Sequence, residues 1–375
     1  MRIKPLILAI LMIWATVVAG GQKTETHTSR SNWNWIQVDG DQKIEVKVEG
    51  KVEFNDDYSD VTRIPDTGSL KIFDSRGPRR FHLLMLRGAD GALNRDYSVD
   101  GRARPFDEEG RQWLRNVLLQ AVREGGLDAR NRVQKILKKS GPRGLAEELT
   151  HVKGDYVRRI YFEEFLQVPG ISNDELKSAI KNASQSIRSD YERAQLLLQV
   201  GHVLLAKDEL IPEYFAVLSR MTSDYERRRI LSGLLKRGQL NRDALAAAAD
   251  SARAIKSDYE KAVFLIQSAE HYHADNRLRS AWFGVLSTFE SDYEHHRVLK
   301  TMVKIPSLSA DALLDVMNSA ARIGSDYEKA TFLIGSVDLY QSDARLRTAL
   351  VNVAKTINSA YERGRVQKRL DRADF

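Results

Sequence analysis

The chain has 375 residues, of which 42% are hydrophobic, and a formal net charge of +7. This length exceeds that of one ordinary compact domain, so we expect at least two structural regions. The absence of cysteine excludes disulfides, thiolate metal sites, a cysteine nucleophile and a lipidated cysteine. Residues 154–375 contain 32 lysine and arginine residues against 30 aspartate and glutamate residues. Such an even mixture of signs disfavours binding to a nucleic-acid backbone, which needs concentrated positive charge.

The N-terminus has the three parts of a secretory signal. Two basic residues precede an apolar run from Leu6 to Ala19, and small residues close that run. The run is shorter than the ~20 residues of a membrane-spanning helix, which favours cleavage at its end over retention as an anchor. We therefore expect an exported chain, periplasmic or extracellular, with a signal peptide at 1–20 and a polar linker at 21–32.

Alternation of apolar and charged residues predicts β-strands in the next region. Over 43–54 the apolar side chains fall on even positions, as in a strand with one buried face. Four further strands are expected, at 69–73, 80–86, 93–99 and 102–106. The region 33–106 is therefore predicted to be a small antiparallel β meander. The region 107–153 is predicted to be a helical connector with a first degenerate helix pair.

An internal repeat governs the rest of the chain. The tetrapeptide SDYE recurs every 34 residues, a variant SAYE begins at Ser359, and a degenerate GDYV begins at Gly154. The repeated positions are Ser189, Tyr191, Glu192, Ser223, Tyr225, Glu226, Ser257, Tyr259, Glu260, Ser291, Tyr293, Glu294, Ser325, Tyr327 and Glu328. Each unit also contains a second helical stripe of apolar residues. Because one helix pair cannot bury its stripe alone, the pattern predicts an α solenoid over 154–375. The fold class is α+β in separate regions.

Each SDYE is expected to begin a helix as a capping box. In this motif the serine hydroxyl accepts a hydrogen bond from the amide of the glutamate three residues on, and the glutamate carboxylate reaches back to the serine amide. The aspartate then lies at the first helical position, where the helix dipole favours a negative charge. Asp190 with Arg193, and the equivalent pairs, would form a charge ladder between units.

The units alternate in type. Those that begin at Ser189, Ser257 and Ser325 continue with a basic residue and then alanine. The units between them carry polar or basic residues at the alanine position, with a glycine in the last unit. Adjacent units would then present different surfaces, so we predict that the true repeat is a pair of units.

The tyrosine of each unit has two interpretations. The positions are Tyr156, Tyr191, Tyr225, Tyr259, Tyr293, Tyr327 and Tyr361. As a functional row, these side chains would stack on an extended ligand. As structure, they would wedge each helix start against the preceding unit and bind backbone groups through their hydroxyls. We favour the structural interpretation, because a packing contact must recur in every unit and a binding contact need not.

A basic stripe on alternate units is the most specific surface hypothesis. Its residues are Arg158, Arg159, Arg227, Arg228, Arg229, His295, His296, Arg297, Arg363 and Arg365. With neighbouring helices about 10 Å apart, these clusters would recur along one edge of the solenoid. Such an edge suits an acidic protein segment or an anionic envelope polymer. The alternative is a solvated helix face.

Motifs of catalysis are missing from the sequence. It contains no HExxH, no GxSxG, no Walker-type phosphate loop and no GxGxxG between strand and helix. The histidine clusters at 271–273 and 295–296 lack the spacing that points two imidazoles to one side of a helix. The acidic stretch at 55–60 lacks the glycine and the distal glutamate of an EF-hand loop. We therefore predict that the chain is not an enzyme and uses no metal or cofactor.

Residues 80–375 resemble a group of exported bacterial proteins. In that group a run similar to YSVDGRARPF, at 97–106 here, precedes SDYE units. Similar regions also follow the membrane metallopeptidase domain of proteins like the penicillin-receptor signal transducers. This chain lacks the HExxH helix of that peptidase. The resemblance therefore implies a sensor-like or adaptor-like extracytoplasmic module and not proteolysis.

Three functional hypotheses follow. The first is an exported, non-enzymatic scaffold that binds a partner protein through its helical-repeat surface, with no nucleic acid and no membrane span after signal cleavage. The second is a binder of envelope polysaccharide or lipid headgroups, which would use the basic stripe or Trp33 and Trp35. The third is an unrecognised hydrolase with a site at the junction of the β region and the solenoid.

Overall fold

The structure is a computed structural model of the full chain. It describes residues 15–19, 22–28, 32–237, 240–306 and 308–373, with 15–28 and Arg237 described by backbone alone. Most of the predicted signal peptide lies outside the described residues. The chain divides into two compact units, Met1–Val168 and Pro169–Phe375.

The first unit contains an antiparallel sheet with strand order β1-β2-β3-β4-β7-β8-β9-β10. A separate ribbon pairs β5 with β6. The strands are β1 (Ala15–Ala19), β2 (Gln22–Thr28), β3 (Asn32–Asp39), β4 (Gln42–Glu49), β5 (Glu53–Phe54), β6 (Val61–Arg63), β7 (Ser69–Arg76), β8 (Arg79–Arg87), β9 (Leu93–Val99) and β10 (Arg102–Ala103). The predicted β meander is confirmed.

The buried face of the sheet follows from the alternation of the sequence. Directly opposed residues on five neighbouring strands form one apolar row across it, Trp35–Val46–Ile72–Leu83–Tyr97. All five side chains are buried. Cross-strand pairs of aromatic and branched side chains of this kind stabilise a sheet and fix its register.

Two details of the strands differ from prediction. The strand expected over 43–54 is interrupted, because Gly50 has a left-handed φ of 77° and a Cβ at this position would lie 3.0 Å from Pro65. Within the range predicted as a linker, Gln22–Thr28 pairs with β3. Its three threonines fit a strand, since branched side chains favour the extended backbone.

The helical part of the first unit contributes to the core of the sheet. It contains α1 (Glu108–Gln120), a π turn (Ala121–Gly125), α2 (Ala129–His151) and α3 (Asp155–Leu166). Leu114, Val117 and Leu118 of α1 belong to the same hydrophobic cluster as the inner face of the strands. The start of the range predicted as a connector is therefore packed on the sheet, because α1 has an apolar face to bury.

The second unit consists of helices. They are α4 (Asn173–Ser186), α5 (Asp190–Leu204), α6 (Ile211–Ser219), α7 (Asp224–Arg237), α8 (Arg242–Arg253), α9 (Asp258–Tyr272), α10 (Asn276–Leu286), α11 (Asp292–Met302), α12 (Ala310–Ala320), α13 (Asp326–Ser336), α14 (Ala344–Lys355) and α15 (Ala360–Asp371), with short 3₁₀ turns at Asp208–Leu210 and Val337–Tyr340. Each odd-numbered helix packs against the next odd-numbered helix, and each even-numbered helix against the next even-numbered one. The two layers confirm the predicted solenoid. Within the described residues, no helix has the length and apolar character needed to cross a membrane.

Candidate partner-binding face of the repeats

Serine begins every odd-numbered helix of the second unit, as predicted. The hydroxyl of Ser257 accepts a hydrogen bond from the amide of Glu260 at 3.3 Å. The equivalent bonds at the other five serines, from Ser189 to Ser359, measure 3.3–3.4 Å. A hydroxyl in this place satisfies one of the amides that the first helical turn leaves without a partner.

The other half of the predicted capping box is wrong for the five units that begin at Ser223, Ser257, Ser291, Ser325 and Ser359. The amide of Ser257 donates to the carboxylate of Asp224, one unit earlier, at 2.8 Å. The same bond recurs at 2.7–2.8 Å for Asp190 with Ser223, Asp258 with Ser291, Asp292 with Ser325 and Asp326 with Ser359. A full capping box, with both of its hydrogen bonds, is present at Ser172 of α4. Each SDYE aspartate therefore joins its unit to the next one.

The aspartate links also bind a second amide. Asp190 accepts from the amide of Thr222 at 2.7 Å as well as from Ser223. Burial by itself would raise the pKa of the Asp190 carboxyl, but the donated hydrogen bonds hold that pKa below its ordinary value. The ladder between units is thus made of carboxylate-to-amide bonds. The predicted pair of Asp190 with Arg193 exists at 2.9 Å, but it lies within one helix.

Part of the predicted basic stripe is internal. Arg227 is buried and donates to the carbonyl of Met221 at 2.5 Å. His295 is 4% exposed, and its Nε2 lies 2.9 Å from the hydroxyl of Ser319. Burial lowers the pKa of His295 to about 4, so the ring is neutral near pH 7. Arg363, in contrast, is exposed, and it donates to the carbonyl of Ile357 at 2.7 Å. These side chains bind the ends of neighbouring helices.

The rest of the stripe is paired with carboxylates. In the second unit the pairs are Arg228–Glu260 at 2.6 Å, Arg229–Glu226 at 2.7 Å, His296–Glu328 at 2.6 Å, Arg297–Glu294 at 2.8 Å and Arg365–Glu362 at 2.7 Å. In the first unit, Arg158 pairs with Asp155 at 3.2 Å, and Arg159 pairs with Glu163. In the second unit the glutamates of the motif thus balance the positive charge of these arginines. This part of the predicted stripe is therefore a set of compensated ion pairs, and the role of the stripe in binding a partner stays a prediction.

Six of the seven motif tyrosines are exposed, and for these six the structural interpretation favoured from the sequence is wrong; Tyr156, in the first unit, is partly buried. The side chains of the six are 41–75% exposed, at Tyr191, Tyr225, Tyr259, Tyr293, Tyr327 and Tyr361. The buried stripe of each odd-numbered helix faces away from them. In α5, for example, Ala194, Leu197 and Val200 are buried, whereas Tyr191 and Gln199 are exposed.

Arginine side chains lie over the rings of these tyrosines. The guanidinium of Arg229 is 5.3 Å from the ring centre of Tyr191, on the preceding odd-numbered helix. The same contact recurs 68 residues on as Arg297 over Tyr259 at 5.3 Å, and again as Arg365 over Tyr327 at 5.8 Å. In addition, Arg228 lies over Tyr225 of its own helix at 4.9 Å. The 68-residue recurrence confirms that the repeat is a pair of units. We call the six exposed tyrosines with Arg228, Arg229, Arg297 and Arg365 the tyrosine face.

Other tyrosines take the structural role that the sequence analysis assigned to the motif. Tyr214, Tyr272 and Tyr340 are fully buried. Their hydroxyls donate to the carbonyls of Leu197 at 3.2 Å, Leu245 at 2.6 Å and Leu313 at 2.9 Å. The 68-residue spacing of Tyr272 and Tyr340 is visible in the sequence and would have indicated this role.

Trp33 and Trp35 do not form a binding surface. They are 9% and 0% exposed and belong to the core of the first unit. A Cβ at Gly125 would lie 2.6 Å from the ring of Trp35, so the glycine is required for this packing. The part of the second hypothesis that used these tryptophans is therefore wrong. The mistake arose because alternation shows that one face is buried without showing which helix covers it.

Comparisons with models of protein families, with curated proteins and with solved structures returned no match. The resemblance to exported SDYE proteins stays a prediction. Among the described residues there is no group of three or more histidine, aspartate or glutamate side chains arranged to hold a metal ion. A function is therefore inferred from the geometry of the tyrosine face.

Proposed function

We propose that the chain is an exported, non-enzymatic scaffold that binds a partner protein through the tyrosine face. One observation carries the proposal: six tyrosines recur at one position of successive units, and all six are exposed. Other residues form the buried core of each unit, so the ring is not needed to fill the interior. Its repetition on the surface fits a role in contact with another molecule.

The composition of the tyrosine face supports a protein partner. Tyrosine and arginine are enriched among the residues that contribute most to protein–protein binding. Tyrosine offers a large contact area with few rotatable bonds, so little conformational entropy is lost on binding. The salt bridge of Arg229 to Glu226, together with its contact to Tyr191, already orders this side chain. Preorganisation of this kind lowers the cost of association.

The solenoid gives the tyrosine face its form. Stacked helix pairs repeat one surface along their length, and such surfaces suit extended partners. An adaptor or a sensor-like module uses a surface of this type to hold a segment of another protein. The absence of excess positive charge on the face argues against a general binder of anionic polymers, since that function needs concentrated charge.

Site-specific photocrosslinking in cells tests the proposal. A benzophenone amino acid would replace Tyr259 in the full chain, and in a matched control it would replace Asn352, which is exposed on α14. We expect discrete protein adducts from position 259 and none from position 352. Equal labelling at the two positions, or adducts only to glycan or lipid from position 259, would contradict the proposal.

A triple variant provides a second test. Tyr225→Ala with Tyr259→Ala and Tyr293→Ala should abolish the adducts captured by a probe placed at Tyr327, while the circular dichroism spectrum stays unchanged. The matched control replaces Lys181, Arg277 and Asn352 with alanine, all exposed on even-numbered helices. The control should keep the adducts. Loss of the adducts in both variants would indicate a structural effect instead of a binding face.

A further inference from the structure

We propose that the segment bound by the tyrosine face is uncharged and rich in proline, and that it lies along the solenoid in the polyproline II conformation. This inference rests on the proposed function and specifies the chemistry of the partner. Three properties of the face support it: the spacing of the tyrosines, the internal compensation of charge, and the hydrogen-bonding capacity of the hydroxyls.

The spacing of the tyrosines matches a polyproline II helix. Each tyrosine lies in the first turn of its odd-numbered helix, and these helices pack side by side in sequence. Packed helices have axes about 8–10 Å apart, so successive rings are offset by roughly that distance. A polyproline II helix rises about 3.1 Å per residue with three residues per turn, and therefore presents the same face every ~9.3 Å. Every third residue of the ligand would then meet the next tyrosine. A pleated strand presents the same face about every 6.8 Å, which is shorter than the spacing of adjacent helices, so it does not meet each successive tyrosine with the same face.

The charges of the face select an uncharged ligand. Arg228, Arg229, Arg297 and Arg365 each have a glutamate carboxylate within 2.6–2.8 Å. An acidic segment would have to compete with these carboxylates for the guanidinium groups. A basic segment would face the arginines themselves. An uncharged segment binds without breaking any of these pairs, so charge complementarity favours it.

The tyrosine hydroxyls suit the backbone of a proline-rich segment. Proline has no amide hydrogen, and the carbonyls of a polyproline II helix are free to accept. The hydroxyl of Tyr191 accepts from the side-chain amide of Gln195 at 2.7 Å, which leaves its own hydrogen for donation. The rings supply apolar surface for the pyrrolidine side chains. Such a ligand is also already extended, so it loses little entropy on binding.

Peptide titration of the full chain tests the inference. Fluorescently labelled oligoprolines of about 6, 9 and 15 residues would span roughly two, three and five tyrosines at 3.1 Å per residue. We expect the dissociation constant to fall at each step of length. The controls are glycine–serine peptides of equal length, oligoprolines with glutamate or lysine at every third residue, and neutral chitooligosaccharides. We expect each control to bind at least about ten-fold more weakly than the oligoproline of the same length.

Substitutions at three tyrosines test whether the oligoproline binds at the tyrosine face. Tyr225→Ala with Tyr259→Ala and Tyr293→Ala should weaken the longest oligoproline by about ten-fold or more, since an aromatic contact contributes about 0.5–1.5 kcal/mol. Phenylalanine at the same three positions should cause a smaller loss, because it keeps the rings and removes the hydroxyls. The Lys181, Arg277 and Asn352 control variant should bind as the unchanged protein does.

The outcomes separate this inference from the proposed function. Affinity that does not depend on peptide length, equal binding of glycine–serine peptides, or tyrosine-dependent binding of the chitooligosaccharide would overturn the inference. If oligoproline does not bind but photocrosslinking at Tyr259 still gives protein adducts, the inference fails and the proposed function stands. If both experiments are negative, both proposals fail.

Discussion

The two units of the chain satisfy their buried polar groups in different ways. In the first unit individual side-chain bonds join distant segments, such as Trp113 to Asp74 at 2.8 Å and Tyr58 to Asp128 at 2.7 Å. In the second unit one link, aspartate to the next N-cap amide, recurs every 34 residues. The first unit should therefore unfold as a whole, whereas the stability of the second is a sum of terms between neighbouring units.

Two matched tryptophan variants test this difference and should have the largest effect. Trp35 and Trp282 are both fully buried, one in each unit. Replacement by alanine should cost about 3–5 kcal/mol in either place. Hydrogen exchange should speed up throughout the strands for Trp35→Ala, and only in the helices near α10 for Trp282→Ala. If Trp282→Ala speeds up hydrogen exchange evenly through the second unit, the stability of this unit is not a sum of terms between neighbouring units.

The acid stability of the second unit should depend on His295. Its folded-state pKa of about 4 lies below the ordinary value of 6.5, so between these values the unfolded chain binds a proton that the folded chain does not. The contribution of neutral His295 to the free energy of unfolding is therefore fully present above about pH 6.5. It is lost as the pH falls towards 4, and the loss is on the order of 3 kcal/mol. Urea unfolding of His295→Gln at pH 7 and pH 4.5 should show a smaller pH dependence than the unchanged protein. His202→Gln, at an exposed site, should keep the full dependence.

Removal of one aspartate link should have a smaller effect. Asp258→Ala leaves the amides of Glu290 and Ser291 without their acceptor, which lies 2.7 Å from each. We expect a loss of about 2 kcal/mol, localised by hydrogen exchange to the starts of α9 and α11. Asp250→Ala removes an exposed carboxylate from α8 and should change stability little. Similar losses in the two variants would show that the link contributes nothing.

The N-cap hydroxyl should have the smallest effect of the four. Ser257→Ala removes the acceptor of the Glu260 amide and should cost about 1 kcal/mol. Ser257→Thr keeps an acceptor and should restore most of that loss. Thermal unfolding of the two variants measures the difference. An alanine variant as stable as the threonine variant would contradict the assignment of Ser257 as a functioning N-cap.

The sequence predicted those features of the fold that depend on residues close together along the chain. The N-cap bond of Ser257 spans three residues, and the alternation in β4 spans seven, so both patterns are visible without coordinates. Their presence in a 34-residue period was sufficient to predict the solenoid. The predicted β meander followed from the same alternation.

The sequence did not predict the contacts that cross between units. The bond from Asp258 to Ser291 and the contact of Arg297 with Tyr259 depend on how each helix is rotated and shifted against the next. A helix considered alone shows the glutamate three residues before Arg297, but it does not show the Tyr259 ring on the preceding odd-numbered helix or the glutamate that His296 meets on the next one. The ion pairs within one helix were visible in the sequence and were missed, whereas the contacts between units were not visible, and the tyrosines were therefore assigned to the interior.

The aspartate link has a consequence for how the chain can change in length. Asp190 holds Ser223, and an aspartate in the same place holds Ser291. Excision of 223–290 would therefore bring Ser291 into the position of Ser223 and Arg297 over Tyr191. Excision of a single unit would instead place Val263 where Arg229 now lies. Recombination can thus shorten or lengthen the array without new compensating mutations, but only in steps of 68 residues, and each step removes or adds two ring contacts for a ligand.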